Sequence, residues 1–236
     1  MRRLTIVVPV LNEAAIIVDA LTALAPLRAR GAEVVGVDSG SSDGSPDLAR
    51  PLADRVIAAP PGRGAPLNAG VALGGGDALL FLHADTTLPP DADRLIAAAL
   101  AYRVWGRFDL RIAGRHPFLA IVARMITWRS RLTGIASGDQ AIFVTREAFV
   151  AVGGFPDLPL MEDIAMSRRL KRLCRPFCIG EPVVTSGRRW EHHGVLRTIV
   201  LMWRLRLAYY FGVEPARLAP YYGPAPSSPA QGRAGP

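Results

Sequence analysis

Ala78-Leu79-Leu80-Phe81-Leu82-His83-Ala84-Asp85-Thr86 is the stretch whose reading decides this chain. Residues 78–82 are an apolar run of strand length, and a carboxylate, Asp85, follows soon after its end. Charge at the end of a buried strand is costly unless it has a task, such as holding a metal or a sugar phosphate. In open α/β sheets, ligands sit just beyond the carboxyl ends of the strands. Asp85 is therefore the first candidate site residue, and the rest of the chain is read outward from it.

Toward the N-terminus, strand and helix signals alternate. Residues 4–10 are rich in β-branched residues, and Asn12 is placed to cap a helix over 13–24. Residues 33–37 predict a second strand ending at Asp38, and the polar loop 39–45 leads into a short helix reaching residue 53. Residues 55–58 predict a third strand, followed by the Pro60-Pro61-Gly62-Arg63-Gly64 turn and a helix over 65–73. Beyond Asp85, Pro89 and Pro90 open a helix over 91–101. Four strand–helix units in succession predict an α/β fold with a mostly parallel central sheet and helices on both faces.

After residue 101 the rhythm changes. Apolar and charged residues alternate over 105–112, so Trp105, Phe108, Leu110 and Ile112 are predicted to share a core, with Arg107, Asp109 and Arg111 opposite. Helices are predicted over 118–128, 146–152, 162–173 and 196–211, and strands over 140–144 and 183–185. The expected organisation is one domain over 1–212, with 1–101 and 102–212 as its halves. Residues 213–236 form the expected tail, disordered from Gly223 onward, where Pro, Ala, Gly and Ser take over.

Half of the 236 residues are apolar, enough for a substantial core. No uncharged apolar run reaches the ~18 residues expected of a membrane span, and the first apolar stretch has no small-residue cleavage site, so no signal peptide is expected. Cys174 and Cys178 lack partners at metal-ligand spacing and read as reduced thiols of a cytoplasmic protein. Charge is unevenly placed: residues 1–114 carry 11 Arg and Lys against 12 Asp and Glu, and residues 115–236 carry 17 against 8. The basic half suits an anionic substrate or an anionic membrane surface, so peripheral contact at the inner face of the membrane accompanies the cytoplasmic expectation. No nucleic-acid partner is expected. Nearly all of the positive charge is arginine, whose planar fork takes two oxygens of a phosphate or carboxylate together.

Further polar groups fall at predicted element ends. Pro9-Val10-Leu11-Asn12-Glu13 closes the first strand, although Asn12 and Glu13 are also ordinary helix-start residues. Asp38 closes the second, a place for an acid that binds a ribose or a base, or for a solvated loop acid. Arg63, with Asn68, follows the third; a cation there can neutralise a diphosphate or hold a carboxylate. His83 and Asp85, two residues apart on a turn, can both face one metal. Gly138-Asp139-Gln140 and Met161-Glu162-Asp163 complete the series, with Asp163 in the first turn of its helix as a dipole-stabilised carboxylate or a simple cap. Asp38, Asp85 and Asp163 at three element ends in chain order point to one site more strongly than any of them alone.

Taken together, these pieces resemble the inverting family 2 glycosyltransferases of the GT-A fold. The resemblance is carried by Val7-Val8-Pro9-Val10-Leu11-Asn12-Glu13, Val37-Asp38-Ser39-Gly40-Ser41-Ser42-Asp43-Gly44, Gly62-Arg63 with Asn68-Ala69-Gly70, His83-Ala84-Asp85, and Glu162-Asp163, over residues 4–173. Gly138-Asp139-Gln140-Ala141-Ile142-Phe143 with Pro159-Leu160-Met161-Glu162-Asp163 is similar to a short bacterial subgroup. That subgroup is found with radical-SAM or selenium-related proteins and linked to arsenosugar synthesis; such chains are also described as carotenoid glycosyltransferases.

The resemblance implies that Pro9, Leu11, Glu13, Asp38 and Ala84 line the nucleotide-sugar site, with Arg63 beside it. Asp85 would bind a divalent metal, Mn²⁺ or Mg²⁺, on the diphosphate. Asp163 would be the catalytic base, and Gly138, Asp139, Gln140 and Glu162 would shape the acceptor side. His83 stands where the family usually has an aspartate; it is either a second metal ligand, moving preference toward Mn²⁺, or a packing histidine. Ser186-Gly187-Arg188-Arg189-Trp190 resembles the Arg-Trp element of processive members but lacks its upstream Gln or Arg, so processive synthesis is not implied.

The implied function is metal-assisted transfer of a sugar, with inversion, from a nucleotide-diphosphate donor to an acceptor hydroxyl. One alternative is a membrane-associated enzyme with a lipid or carotenoid-type acceptor, because 118–128 and 196–211 are apolar on most sides and carry arginines. A second alternative is a non-catalytic nucleotide- or membrane-binding protein on the same fold. A nucleotidyltransferase would want a Gly-rich loop where Leu11-Asn12-Glu13 stands, and a dehydrogenase would want Gly-x-Gly-x-x-Gly there.

Overall fold

The apolar runs that begin at Leu4, Glu33 and Ala78 are buried along nearly their whole length, as strands covered on both faces must be. In this computed structural model, which describes residues 3–223, they are β1 (Leu4–Val10), β2 (Glu33–Asp38) and β4 (Ala78–Phe81), with β3 (Arg55–Ala58) between the last two in sequence. The remaining strands are β5 (Thr86–Thr87), β6 (Trp105–Ala113), β7 (Phe143–Thr145) and β8 (Phe177–Ser186). All eight form one sheet in the order β3-β2-β1-β4-β7-β6-β8-β5. The first four are mutually parallel. β7 runs antiparallel between β4 and β6, and β6 and β8 are parallel again. The chain leaves β1 toward β2 and β3 on one side and returns to β4 on the other, so a crevice opens beyond the carboxyl ends of β1 and β4.

Helices cover both faces: α1 (Ile17–Thr22), α2 (Ala25–Ala29), α3 (Ser45–Ala49), α4 (Ala65–Leu73), α5 (Ala92–Ala99), α6 (Phe118–Thr133), α7 (Arg146–Ala151), α8 (Glu162–Lys171), α9 (Arg188–His193), α10 (Val195–Tyr210) and α11 (Pro215–Tyr222). Ile17, Leu21, Leu27, Ile96, Leu119 and Val122 join the core on one face. Leu67, Val71, Phe149, Met166 and Leu170 build the other. A third, smaller cluster packs Leu205 of α10 and Leu218 of α11 on Leu160, Met161 and Ile164 at the start of α8.

Several expectations are corrected. The helix over 13–24 is a turn followed by two short helices, and Asn12 does not cap it. Asn12 has φ 55°, and its side-chain oxygen accepts from Ser42 N at 2.9 Å. Trp105 sits in the core opposite Phe108, Leu110 and Ile112, as its odd position on the strand requires. Arg107 is fully buried rather than solvent-facing, because β6 is interior to the sheet and α6 packs over it. Its guanidinium donates to Asp109, Phe108 O and Thr127 O. Gln140 precedes the strand predicted for it and lies in a 3₁₀ turn, Gly138–Gln140. β8 is far longer than 183–185 because β6 pairs with it over eight positions. The tail predicted from 213 contains α11, which Leu218 anchors at 6% exposure; the expectation for residues 224–236 lies outside the described residues.

Arg146 fastens the two halves. It donates to Gly76 O at 2.6 Å, Val71 O at 3.0 Å and Gly74 O at 2.6 Å. The Val71 and Gly74 carbonyls end α4, where the helix has no further amides to meet them, and Gly76 lies in the loop before β4. Replacing Arg146 by Met should lower stability by at least the about 1.5–3 kcal/mol of one hydrogen bond to a charged group, read from the midpoint of urea unfolding. An unchanged midpoint would contradict this role.

Candidate functional site

The crevice begins with two loops zipped together at the ends of β1 and β2. Asn12 N donates to Ser41 Oγ at 2.9 Å, Glu13 N to Ser45 Oγ at 2.8 Å and Ala14 N to Asp43 Oδ2 at 2.9 Å. Asp38 accepts from Gly40 N and Ser41 N, shaping its own turn. These bonds fix where Glu13 points. Leu11 is 55% exposed at the rim of this loop.

Asp85 is brought to the same place from β4. Ser186 N donates to Asp85 O at 3.1 Å, and β5, just after Asp85, pairs with the end of β8. That pairing delivers Arg188, whose Nη2 lies 3.3 Å from Glu13 Oε2 and 3.7 Å from Asp85 Oδ2. One guanidinium therefore bridges two carboxylates of different strands. Burial pushes the Glu13 carboxyl up, against the lowering effect of Arg188, and the Asp85 charge adds to the rise. Ala84 is buried, so only its backbone can face a ligand.

The third wall comes from the second half of the chain. Asp163 Oδ2 accepts from Gly138 N at 2.9 Å and Oδ1 from Ile164 N at 2.7 Å, so both carboxylate oxygens are aimed by backbone amides. A Cβ on Gly138 would stand 2.5 Å from His83 Nε2, so a larger residue there would have to displace the imidazole. Gln140 points away from the crevice, fully buried. It accepts from Ser137 N and donates to Phe108 O and Ser130 Oγ, fastening the Gly138 turn to β6 and α6. Asp139 is walled by protein but open to the cleft. Burial raises its pKa, His83 opposes the rise, and the charges of Asp85 and Asp163 reinforce it.

Arg63 and Glu162 close the remaining side. Arg63 Nε donates to both Glu162 oxygens at 2.8 Å. Burial works against the Arg63 charge, yet Glu162 holds its pKa above the ordinary arginine value. Burial and the adjacent Asp163 push the Glu162 carboxyl up. The Arg63 charge, set against both Glu162 oxygens through Nε, opposes that rise. Pro9, His83, Gly138, Glu162 and Asp163 line one narrow cavity, so residues from β1, β4, the 138 turn and α8 meet there. Asp38 lies two strands from β4 in the sheet.

Four groups were not among the candidates. Arg188 belongs to the Arg-Arg-Trp element, whose arginines could have suggested it. Arg189 lies over the Tyr222 ring at 4.1 Å and donates to Tyr222 O at 3.1 Å, and Arg63 lies over the same ring at 5.5 Å. Tyr222, at the end of α11, thus reaches across the crevice between two arginines. Burial raises its phenol, the two arginines lower it, and Asp139 and Asp163 raise it further. Arg129 donates to Ile135 O at 3.2 Å while its Nη2 is buried without a partner. Burial, with Arg206 and Arg107 nearby, lowers it to about 9 even though Asp163 pulls the other way.

Among the described residues no three His, Cys, Asp or Glu side chains form a metal cage. A nucleotide-bound Mg²⁺ or Mn²⁺ needs only one or two protein carboxylates, because phosphate and water complete its shell. Asp85, 29% exposed in its side chain and opening on the crevice, suits that smaller role. His83 lies against Gly138, within electrostatic reach of Glu13 and Asp139. His192 and His193 pack ring against ring on exposed α9.

Residues 5–118, a little under half of the chain, match the family described as Glycosyl transferase family 2. The fold is similar to that of a mannosyltransferase from Pyrobaculum calidifontis solved with GDP-Man and Mn²⁺. That likeness has 25% identity and a TM-score of 0.63, over 95% of this chain and 66% of the other, a little under two thirds of its length. Glucosyl-3-phosphoglycerate synthase from Mycobacterium tuberculosis, solved with Mn²⁺, UDP and phosphoglyceric acid, gives 21% identity and 0.63 over 90% and 79%. TarS from S. aureus, solved with UDP-GlcNAc, gives 17% and 0.65 over 92% and 69%. The architecture is the GT-A fold of these transferases. No curated relative matches the sequence.

Removing one partner of the Arg63–Glu162 pair should expose the cost of the other. Arg63→Met leaves a buried carboxylate unpaired and should lower stability by about 3–5 kcal/mol. Glu162→Gln added to Arg63→Met should recover part of that loss in the same urea titration. Equal losses in the single and double variants would show that the pair is not coupled.

Proposed function

We propose that this protein transfers a sugar, with inversion, from a nucleotide-diphosphate donor to an acceptor hydroxyl. The observation that carries the reading is Asp163: a carboxylate held by two backbone amides, on the wall of a cavity shared with His83 and close to Asp139. Asp163 takes the acceptor proton as that oxygen attacks the anomeric carbon from the face opposite the leaving group. The new C–O bond forms while the bond to the diphosphate breaks, and its electron pair leaves with the diphosphate oxygen. Proton removal of this kind contributes roughly 10²–10⁴-fold.

Glu13, Pro9, Leu11 and Asp38 take the nucleoside end, and Arg63, Arg188 and Arg189 supply positive charge along the crevice. Asp85, with His83 as the further donor, would hold Mn²⁺ or Mg²⁺, which when bound neutralises the diphosphate. The acceptor side is formed by Gly138, Asp139 and Glu162, with Gln140 holding their turn in place. Exposed apolar faces on α6 and α10 favour an acceptor presented at a membrane surface, such as a lipid or carotenoid-type molecule.

The test uses UDP and GDP, each with and without Mn²⁺, in thermal unfolding. A ligand at a hundred times its Kd adds roughly 2.7 kcal/mol, a rise of several degrees. Asp85→Asn should abolish the Mn²⁺-dependent part of that rise. Asp163→Asn should keep it but lower release of nucleoside diphosphate from UDP-glucose or GDP-mannose by about 10²-fold or more. Full turnover by Asp163→Asn would remove the base assignment, and no protection by either nucleotide would remove the donor assignment.

A further inference from the structure

α6 and α10 are each sixteen residues long, and each shows solvent an apolar stripe. On α6 it is Phe118, Ile121, Met125, Trp128 and Leu132, 47–67% exposed; on α10 it is Leu196, Val200, Trp203, Leu207 and Tyr210, 56–73% exposed. Steps of three and four residues place each set on one helix face. Single exposed apolar residues are ordinary, whereas two aligned stripes mark an interaction surface.

The helices lie side by side. His116 and Phe118 line one shallow hollow with Gly194, Val195, Leu196 and Arg197. Val195 and Ile199 pack in the same cluster as Leu119, Val122 and Ile126. Eleven residues beyond Phe118 and Val195 stand Arg129 and Arg206, near enough to repel one another. The two helices therefore run alongside in the same direction, and their exposed stripes begin at the same place.

Their charge is of one sign. Neither helix contains an acid, and together they carry Arg124, Arg129, Arg131, Arg197, Arg204 and Arg206. Arg124, Arg197 and Arg204 are exposed, as is Arg131, which pairs with Asp109. No helix among the described residues is long and apolar enough to cross a membrane. A helix with tryptophan in its apolar face and only cations beside it fits the plane of a bilayer interface, with apolar groups among acyl chains and arginines at lipid phosphates.

We propose that α6 and α10 form a platform that docks the protein on an anionic lipid bilayer, through the two apolar stripes and the arginines that flank them. The proposal goes beyond the transfer reaction and does not depend on it. It does place the crevice near the lipid: the inner side of α10, through Leu205, packs on Met161 and Ile164 beside Asp163.

The experiment is sedimentation of the full chain, without nucleotide, with vesicles of phosphatidylcholine alone or mixed with an equal part of phosphatidylglycerol. The protein should pellet with the mixed vesicles roughly a hundredfold more tightly than with the neutral ones, given three exposed arginines near the surface. Tryptophan emission should shift to the blue on binding, from Trp128 and Trp203. The double variant Trp128→Glu/Trp203→Glu should lose pelleting while keeping the wild-type thermal midpoint and its nucleotide protection with Mn²⁺. Two results would overturn the proposal: wild-type protein left in the supernatant with anionic vesicles, or a wild-type dimer that the double variant converts to monomer. Loss of nucleotide protection in the wild type would instead count against the transfer reaction alone.

Discussion

The Arg63 guanidinium grips both oxygens of Glu162 across 99 positions of the chain, joining the turn after β3 to the first turn of α8. The reason such a clamp is needed lies in the acids around it. Glu13, Asp85, Asp139, Glu162 and Asp163 converge on one crevice, and burial and mutual repulsion raise the pKa of Glu13, Asp139 and Glu162. Carboxylates gathered in this way stay ionised only if cations are set among them. Arg63 serves Glu162, and Arg188 serves Glu13 and Asp85 together. The crevice is thus a mosaic of both signs.

Three turns deliver the acids, and each is made by a non-glycine residue with positive φ: Asn12 at 55°, Ala141 at 47° and Met161 at 69°. Asn12 precedes Glu13, Met161 precedes Glu162 and Asp163, and Ala141 ends the turn carrying Gly138 and Asp139. Such backbone costs of order 1–3 kcal/mol at each residue, so it persists only where surrounding contacts enforce it. Those contacts are visible. Asn12 is pinned to Ser41 and Ser42, Met161 is buried against α10 and α11, and the 138 turn is fastened through Gln140. The strain sits beside the acids and the fastening lies one layer behind them.

The first half was legible because its elements are local. β1, β3 and α4 begin and end where apolar runs, β-branched residues and Pro/Gly turns place them, and the acids at strand ends mark the crevice. What escaped was set by pairing over long distances. Nothing in Thr86-Thr87 announces a strand until β8 lies beside it. Arg107 looks like a surface residue of an alternating strand until α6 covers it and Asp109 meets its charge. In the sequence Arg188 is only part of a motif, and Tyr222 only one residue of the expected 213–236 tail. Both owe their place to the fold: β8 carries Arg188 to Asp85, and Leu218 anchors the helix that swings Tyr222 between Arg63 and Arg189.

The charge asymmetry between the halves then resolves into two directions on the same elements. On α10, Arg206 turns toward Arg129 and the acid side of the crevice, while Arg197 and Arg204 lie in solvent beside Trp203. On α6, Arg129 is drawn inward and Arg124 stays outside. Arginine suits both uses, since it keeps its charge when partly buried and also lays its apolar stem along a greasy surface. Of the inner cations, Arg129 lies within electrostatic reach of Asp163, and the outer ones rim the exposed stripes. A helix that packs Leu205 against Met161 and shows Trp203 to solvent connects these two surfaces rigidly. Whatever settles on the outer face of α10 is one helix diameter from the turn that aims Asp163.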